Sequence, residues 1–214
     1  MNIAFIGVGN VGSALADHLA QTGHQVTIGA RDPQSSSVVA ALKKNPSLRC
    51  FSPLEACQSA EVVFLATPYQ ANPAALAGLE AALVGKVLVD CTNPVGPGLS
   101  HALPSGSGSE QVQKLVPTAK IVKAFTIYGY ENFEDPRYPG YGDLKPAMLI
   151  AGDDTGAKAS VASLIEQLGW RCVDSGPLSS ALHLEHLCLL WIKMARVQGR
   201  GAGFVWAMLE RKSS

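Results

Sequence analysis

The stretch Asn2-Ile3-Ala4-Phe5-Ile6-Gly7-Val8-Gly9-Asn10-Val11-Gly12 runs from a short apolar segment into a glycine-spaced turn. The G-x-G-x-x-G pattern follows a β-type run and leads into a helical pattern from Val11 to Thr22. In that setting the pattern predicts a turn that cradles a pyrophosphate, whereas the same glycines elsewhere would mark only a tight bend. Gly7 permits the turn, Gly9 lets a ligand approach the backbone, and Gly12 lets helix and strand pack closely. Around Asn10 and Val11 the helix N-terminus offers unpaired N–H groups and a partial positive charge.

Downstream the same rhythm continues. Short β-branched runs closed by Gly, Pro or Asp predict strands at residues 2–7, 25–29, 48–51, 61–66, 86–90, 120–125, 147–152 and 170–174. Helical patterns fall at 11–22, 37–44, 53–58, 73–83, 110–115 and 156–168. This alternation predicts βαβ units. Strands apolar on consecutive positions, such as Val62-Val63-Phe64-Leu65, predict helices on both sheet faces. The expected fold is α/β, with a doubly wound, mostly parallel sheet of about eight strands in one domain. Its parts are a dinucleotide-binding core over 1–125, added strands over 126–177 and a helical tail over 178–214. Residues 92–109, with the run Ser105-Gly106-Ser107-Gly108-Ser109, read as a mobile connection, either a plain linker or a gate. Residues 129–146 read as an ordered loop pinned by aromatics.

Seventeen Lys and Arg balance seventeen Asp and Glu in 214 residues, so no overall field draws the chain onto nucleic acid or an anionic membrane. The cysteines, Cys50, Cys57, Cys91, Cys172 and Cys188, are odd in number and form no CxxC pair, which argues against a zinc ribbon or a disulfide framework. The N-terminal apolar run lacks a preceding basic segment, and the late apolar stretch Leu187–Ile192 is far short of the ~20 residues that span a bilayer. A soluble, cytoplasmic protein is expected, with no nucleic-acid or membrane partner.

The choice of dinucleotide falls just after residues 25–29. An acid there would accept both ribose hydroxyls of NAD, but the chain reads Ala30-Arg31-Asp32-Pro33. A guanidinium fork after a small residue suits a 2′-phosphate and favours NADP(H). The opposite reading makes Asp32 the ribose ligand and leaves Arg31 solvated. Thr67-Pro68 and Thr92-Asn93-Pro94 follow later strands, at the edge where open α/β sheets bind ligands. Thr67, Pro68, Asn93 and Pro94 are therefore candidates for the nicotinamide side, against a plainer role as turn residues. Tyr128 and Tyr130 reach the same rim, as stacking partners for a planar substrate or as loop packing. His183-Leu184-Glu185-His186 sets two imidazoles three apart on one helical face, but no third ligand is visible and no metal is expected. Cys91 reads as a small buried apolar residue. No residue stands out as a proton donor.

The sequence resembles the family of F420-dependent NADP oxidoreductases, which also provides the cytosolic reductase domain of the STEAP metalloreductases. The resemblance is carried by residues 6–12, Gly29-Ala30-Arg31-Asp32-Pro33, Asp90-Cys91-Thr92-Asn93-Pro94, Val122-Lys123-Ala124-Phe125, Ala151-Gly152-Asp153-Asp154, Val173-Asp174-Ser175-Gly176-Pro177-Leu178 and the tail from Leu187 to Leu209. It spans nearly the whole chain. It implies an NAD(P)-binding Rossmann fold, a 2′-phosphate gripped at Ala30 and Arg31, and hydride transfer between the nicotinamide C4 and a stacked deazaflavin such as coenzyme F420, or a flavin. Family members with a second basic residue in that turn would have it where this chain has Asp32. Competing readings are a small imine or hydroxyacid reductase, for which too few residues follow Asp174, and a dinucleotide sensor without turnover. The apolar tail, with Leu190, Trp206 and Met208 among others, predicts a homodimer.

Overall fold

β1 (Asn2–Ile6) lies between β2 (Gln25–Gly29) and β4 (Val62–Leu65), parallel to both. The computed structural model describes residues 1–211, and the end of the expected tail, 212–214, lies outside the described residues. β3 (Arg49–Phe51) flanks β2, and β5 (Val87–Asp90) and β6 (Lys120–Lys123) follow β4, all parallel. β7 (Ala147–Gly152) joins β6 antiparallel and carries β8 (Arg171–Asp174) parallel to itself. The strand order is therefore β3-β2-β1-β4-β5-β6-β7-β8. The direction of winding reverses at β1, and in open α/β sheets that switch point places a ligand crevice at the carboxyl ends of the neighbouring strands.

Side chains alternate between two buried layers along each central strand. Ile3, Phe5, Val62, Phe64, Val89 and Val122 enter one layer, and Ala4, Ile6, Val63, Leu65, Leu88 and Ile121 the other. The first layer packs α1 (Asn10–Gln21), α2 (Ser36–Lys44) and α7 (Thr155–Gln167). The second packs α3 (Pro53–Ser59), α4 (Asn72–Leu76) and α5 (Gly108–Leu115). Phe5 stacks on Phe64 with ring centroids 4.6 Å apart, which centres the first layer on the strands that flank the switch point.

Three expected elements are corrected by local chemistry. The pattern over 73–83 divides into α4 and a short 3-10 turn, Ala81–Leu83, because Gly78 between them takes φ +77°. α5 begins two residues earlier than its pattern indicates. Ser107 and Glu110 form a capping box in which the Ser107 hydroxyl accepts the Glu110 N–H at 3.1 Å and the Ser107 N–H donates to the Glu110 carboxylate at 2.7 Å. Among the described residues the tail is helical through a 3-10 turn (Leu178–Ser180), α8 (Ala181–Ile192) and a π-turn, Lys193–Val197, and not beyond. It then returns along the sheet. The Trp206 carbonyl accepts the Ala147 N–H at 2.8 Å, and Trp191 Nε1 donates to the Phe204 carbonyl at 3.0 Å. The 129–146 loop carries a short helix, α6 (Glu131–Glu134), packed on α1.

Candidate cofactor site

The turn between β1 and α1 has room for glycine alone. Gly7 sits at φ +95°, and a Cβ there would lie 2.8 Å from the Ala66–Thr67 backbone. At Gly12 a Cβ would come within 2.2 Å of the Gly7 carbonyl oxygen, so any larger residue would push α1 off β1. At Gly9 a Cβ would meet nothing within 4 Å, which leaves open space above the backbone. Gly9 is also the N-cap of α1 and supplies no side-chain hydrogen bond to the helix. The first N–H groups, around Asn10 and Val11, are thus not capped by a side chain and lie beside that space.

Beside this turn a cavity of about 150 Å³ is bounded by Gly7, Gly29, Arg31, Ser35 and Ser37. Asp32 is occupied in shaping the turn. Its Oδ1 accepts the Gln34 N–H at 2.9 Å, and its carbonyl accepts the Ser35 N–H at 3.2 Å. Arg31 is exposed and makes no ion pair among the described residues, so its fork is available to an anion. Ala30 adds no bulk at the cavity wall.

At the carboxyl ends of β4 and β5 the polar side chains bond to one another. Thr67 Oγ1 donates to Asn72 Oδ1 at 2.8 Å, Asn72 Nδ2 donates to Thr92 Oγ1 at 3.0 Å, and Thr92 Oγ1 donates to Asp90 Oδ1 at 2.7 Å. Asn93 Nδ2 donates to the Thr126 carbonyl at 3.1 Å. Pro68 is exposed at this rim and Pro94 is buried. β6 ends where Phe125 takes φ +55°, a left-handed backbone that costs a non-glycine residue about 1–3 kcal/mol. That turn brings Thr126 under Asn93. Among the described residues two buried oxygens here lack a partner, Asn93 Oδ1 and Thr126 Oγ1.

Behind the rim lies a cluster of buried charges. Lys123, fully buried on β6, pairs with Asp90 Oδ2 at 3.2 Å and Glu185 Oε1 at 3.0 Å, and it donates to the Thr92 carbonyl. Burial alone would lower the Lys123 pKa, but the carboxylates of Asp90 and Glu185 outweigh it and hold the ammonium above its ordinary value. Glu185 receives the Gly108 N–H on both oxygens, at 2.9 and 3.0 Å. Ser109 Oγ donates to Asp90 Oδ2 at 2.6 Å.

The residues singled out in the sequence fall into two groups. Gly7, Ala30 and Arg31 line the cavity on the β1–β2 side, Gly9, Asn10, Val11 and Gly12 belong to the adjoining turn and the first turn of α1, and Thr67, Pro68, Asn93 and Pro94 stand on the β4–β5 side. Tyr128 leaves the rim. It is buried, stacks on Trp170 and donates its hydroxyl to the Ala147 carbonyl at 2.7 Å, so it belongs to the core. His183 and His186 are exposed, and no group of side chains able to hold a metal occurs among the described residues. The Cys91 thiol is pushed well above its ordinary pKa, first by burial and then by Asp90, which removes it as a nucleophile. Asp90, Lys123, Glu185 and Thr126 were not anticipated as site residues. A lysine inside the apolar run Ile121-Val122-Lys123-Ala124-Phe125 and a glutamate inside the leucine-rich α8 are the signals that mark two of them. A cavity of about 650 Å³ opens beside Asn2, Gln25 and Arg49, around the amino-terminal ends of β1 and β2 and away from the glycine turn.

A family model described as NADP oxidoreductase coenzyme F420-dependent matches residues 2–94. F420-dependent NADP reductase from Methanothermobacter marburgensis is 30% identical over 210 residues, covering 91% of this chain and 92% of that protein. This chain belongs to the F420-dependent NADP oxidoreductase family. A solved structure from Arthrobacter sp. FB24, assigned as an F420-dependent NADP reductase, is 32% identical with a TM-score of 0.86 and covers 98% of this chain and 100% of that one. The metalloreductase STEAP3 of Rattus norvegicus is 30% identical over 188 residues, which are 87% of this chain and 36% of that protein. The chain thus spans about a third of the metalloreductase. An imine reductase from Streptomyces aurantiacus, 20% identical at a TM-score of 0.64, shares the fold. The chain is thus an NADP-dependent oxidoreductase with a Rossmann-type sheet, and its buried lysine ties the carboxyl ends of β5 and β6 to α8.

Replacing Lys123 by Met removes the ammonium that two buried carboxylates share and should cost about 3–5 kcal/mol in urea denaturation. A loss under about 1 kcal/mol would show that Asp90 and Glu185 do not depend on the ammonium. The folded-state pKa of Lys123 is raised, so its contribution is complete below about pH 10.4, the unfolded value, and is lost as pH rises through the higher folded value. Wild-type stability should therefore fall more steeply than that of Lys123→Met at the alkaline end.

Proposed function

We propose that this NADP-dependent oxidoreductase passes hydride between NADP(H) and a planar acceptor of the deazaflavin or flavin type, with coenzyme F420 as the first to be tried. The observation that carries the cofactor half of this reading is the division of labour at Arg31-Asp32: the acid is bound into its own turn, and the guanidinium faces a cavity with no partner among the described residues. In this reading Gly7, Gly9 and Gly12, with the N–H groups near Asn10 and Val11, hold the pyrophosphate, and Arg31 beside Ala30 holds the 2′-phosphate. When bound, NADPH supplies hydride from the nicotinamide C4. Thr67, Pro68, Asn93 and Pro94 shape the nicotinamide side. The partnerless oxygens of Asn93 and Thr126 suit a carboxamide, whose N–H groups can donate to Asn93 Oδ1 and whose carbonyl can accept from Thr126 Oγ1.

Arg31→Ala should raise the NADPH dissociation constant by roughly tenfold to a hundredfold, matching the ~1.5–3 kcal/mol of a hydrogen bond to a charged group, and should leave NADH binding almost unchanged. Equal wild-type affinity for NADH and NADPH in the same calorimetric titration would return the ribose to Asp32.

The reading includes a single domain working as a cytoplasmic homodimer. No helix among the described residues is long and apolar enough to cross a membrane. The returning tail leaves Leu190, Val197 and Leu209 exposed at 47%, 67% and 83%, a surface that pairing of two chains would cover. Light scattering should give twice 22.4 kDa across a dilution series, and Leu190→Glu should halve it without unfolding; a constant 22.4 kDa would establish a monomer.

A further inference from the structure

His101 lies in the 92–109 segment, and its side chain is 9% exposed. Its Nε2 stands 2.7 Å from Glu185 Oε2, and its Nδ1 stands 3.3 Å from the Leu103 carbonyl oxygen. Both neighbours are acceptors, whereas a neutral imidazole has only one donor. The two contacts are satisfied together only when the His101–Glu185 pair carries one proton beyond neutral histidine and glutamate anion. Charge balance demands the same proton. Asp90 and Glu185 bring two buried negative charges and Lys123 one positive, so a proton on the pair makes the cluster neutral.

The groups facing the pair come from several elements. Lys123 faces it from β6 and links it to Asp90 on β5, and the Gly108 N–H faces it from α5. His186 of α8 places its ring 5.2 Å from that of His101. Tyr69 and Cys188 complete the surroundings; both have raised pKa values, chiefly through burial and further through the Glu185 charge. Glu185 thereby grips the segment at two points, His101 and Gly108, and the segment begins with Asn93 and Pro94.

We propose that His101 is a positioning residue for the nicotinamide end of the cofactor: by tying the 92–109 segment to Glu185 it fixes Asn93 and Pro94, and it does so only while the pair carries a proton. The proposal rests on the NADP(H) reading above. Linkage then requires that cofactor binding and protonation of the pair favour one another.

The test is calorimetric titration of the full chain and of His101→Gln with NADP⁺ and with 2′,5′-ADP, which keeps the 2′-phosphate and lacks the nicotinamide, from about pH 6 to about pH 9. Glutamine retains a donor and does not titrate in that range. The wild type should bind NADP⁺ about tenfold more tightly than His101→Gln at the acid end and lose that advantage at the alkaline end, where binding should take up protons. Both proteins should bind 2′,5′-ADP equally at every pH. Parallel NADP⁺ profiles, even if offset, would overturn the proposal and leave the cofactor reading standing. Failure of the wild type to bind either ligand would overturn both. Should His101→Gln not fold, the wild-type proton count in buffers of different ionisation enthalpy decides: uptake at the alkaline end supports the proposal, and none overturns it.

Discussion

Lys123 is a positive charge placed inside the sheet without access to water, and the carboxyl ends of β5 and β6 are organised around neutralising it. An unpaired ammonium in such a place would be far too costly to keep, so its partners must be present and correctly placed. Asp90 comes from the neighbouring strand, Glu185 from a helix late in the chain, and the third contact is the Thr92 carbonyl. One buried charge thereby ties β5, β6, α8 and the start of the 92–109 segment into one arrangement. The segment gains further anchors where Glu185 takes the Gly108 N–H and Asp90 accepts the Ser109 hydroxyl.

The two sides of the proposed cofactor crevice are physically different. The β1–β2 side is built from neighbours in sequence: a glycine turn whose geometry excludes side chains, and a β2–α2 turn where Asp32 is bound locally and Arg31 is left exposed. The β4–β5 side is built from contacts between residues far apart, such as Asn93 with Thr126 and His101 with Glu185. The first side requires little of the rest of the molecule. The second side depends on α8 and on the charges beneath it.

That difference decides what could be read from the sequence. All eight strands were legible, because apolar runs closed by Gly, Pro or Asp register local propensity and burial together. The glycine turn and Arg31 were legible for the same reason. The break at Gly78 and the capping of α5 by Ser107 and Glu110 were present as local signals, but in the first case periodicity, and in the second a Ser/Gly run, concealed them. The return of the tail onto β7 and the withdrawal of Tyr128 into the core were not legible. They depend on which distant surfaces meet: Trp206 on Tyr128 and Ala147, and Tyr128 on Trp170. Lys123 was visible as an anomaly in a strand, yet its partners lie on β5 and α8 and no local pattern names them.

Membership in the F420-dependent NADP oxidoreductase family and the exposed Arg31 beside its cavity support the proposed hydride exchange with a planar acceptor. The most direct measurement is an anaerobic single turnover with NADPH carrying deuterium at C4 on one face at a time, mixed with coenzyme F420 and, separately, with FMN and FAD. Loss of one deuterium from one face only of the nicotinamide C4, with loss of the acceptor's visible absorbance, is the predicted result; the label stays on the C5 carbon of a deazaflavin and exchanges into water from the N5 nitrogen of a flavin. Tight binding of NADPH with no loss of its C4 deuterium and no bleaching of any of these acceptors would contradict it and make the chain a dinucleotide-binding protein without this chemistry.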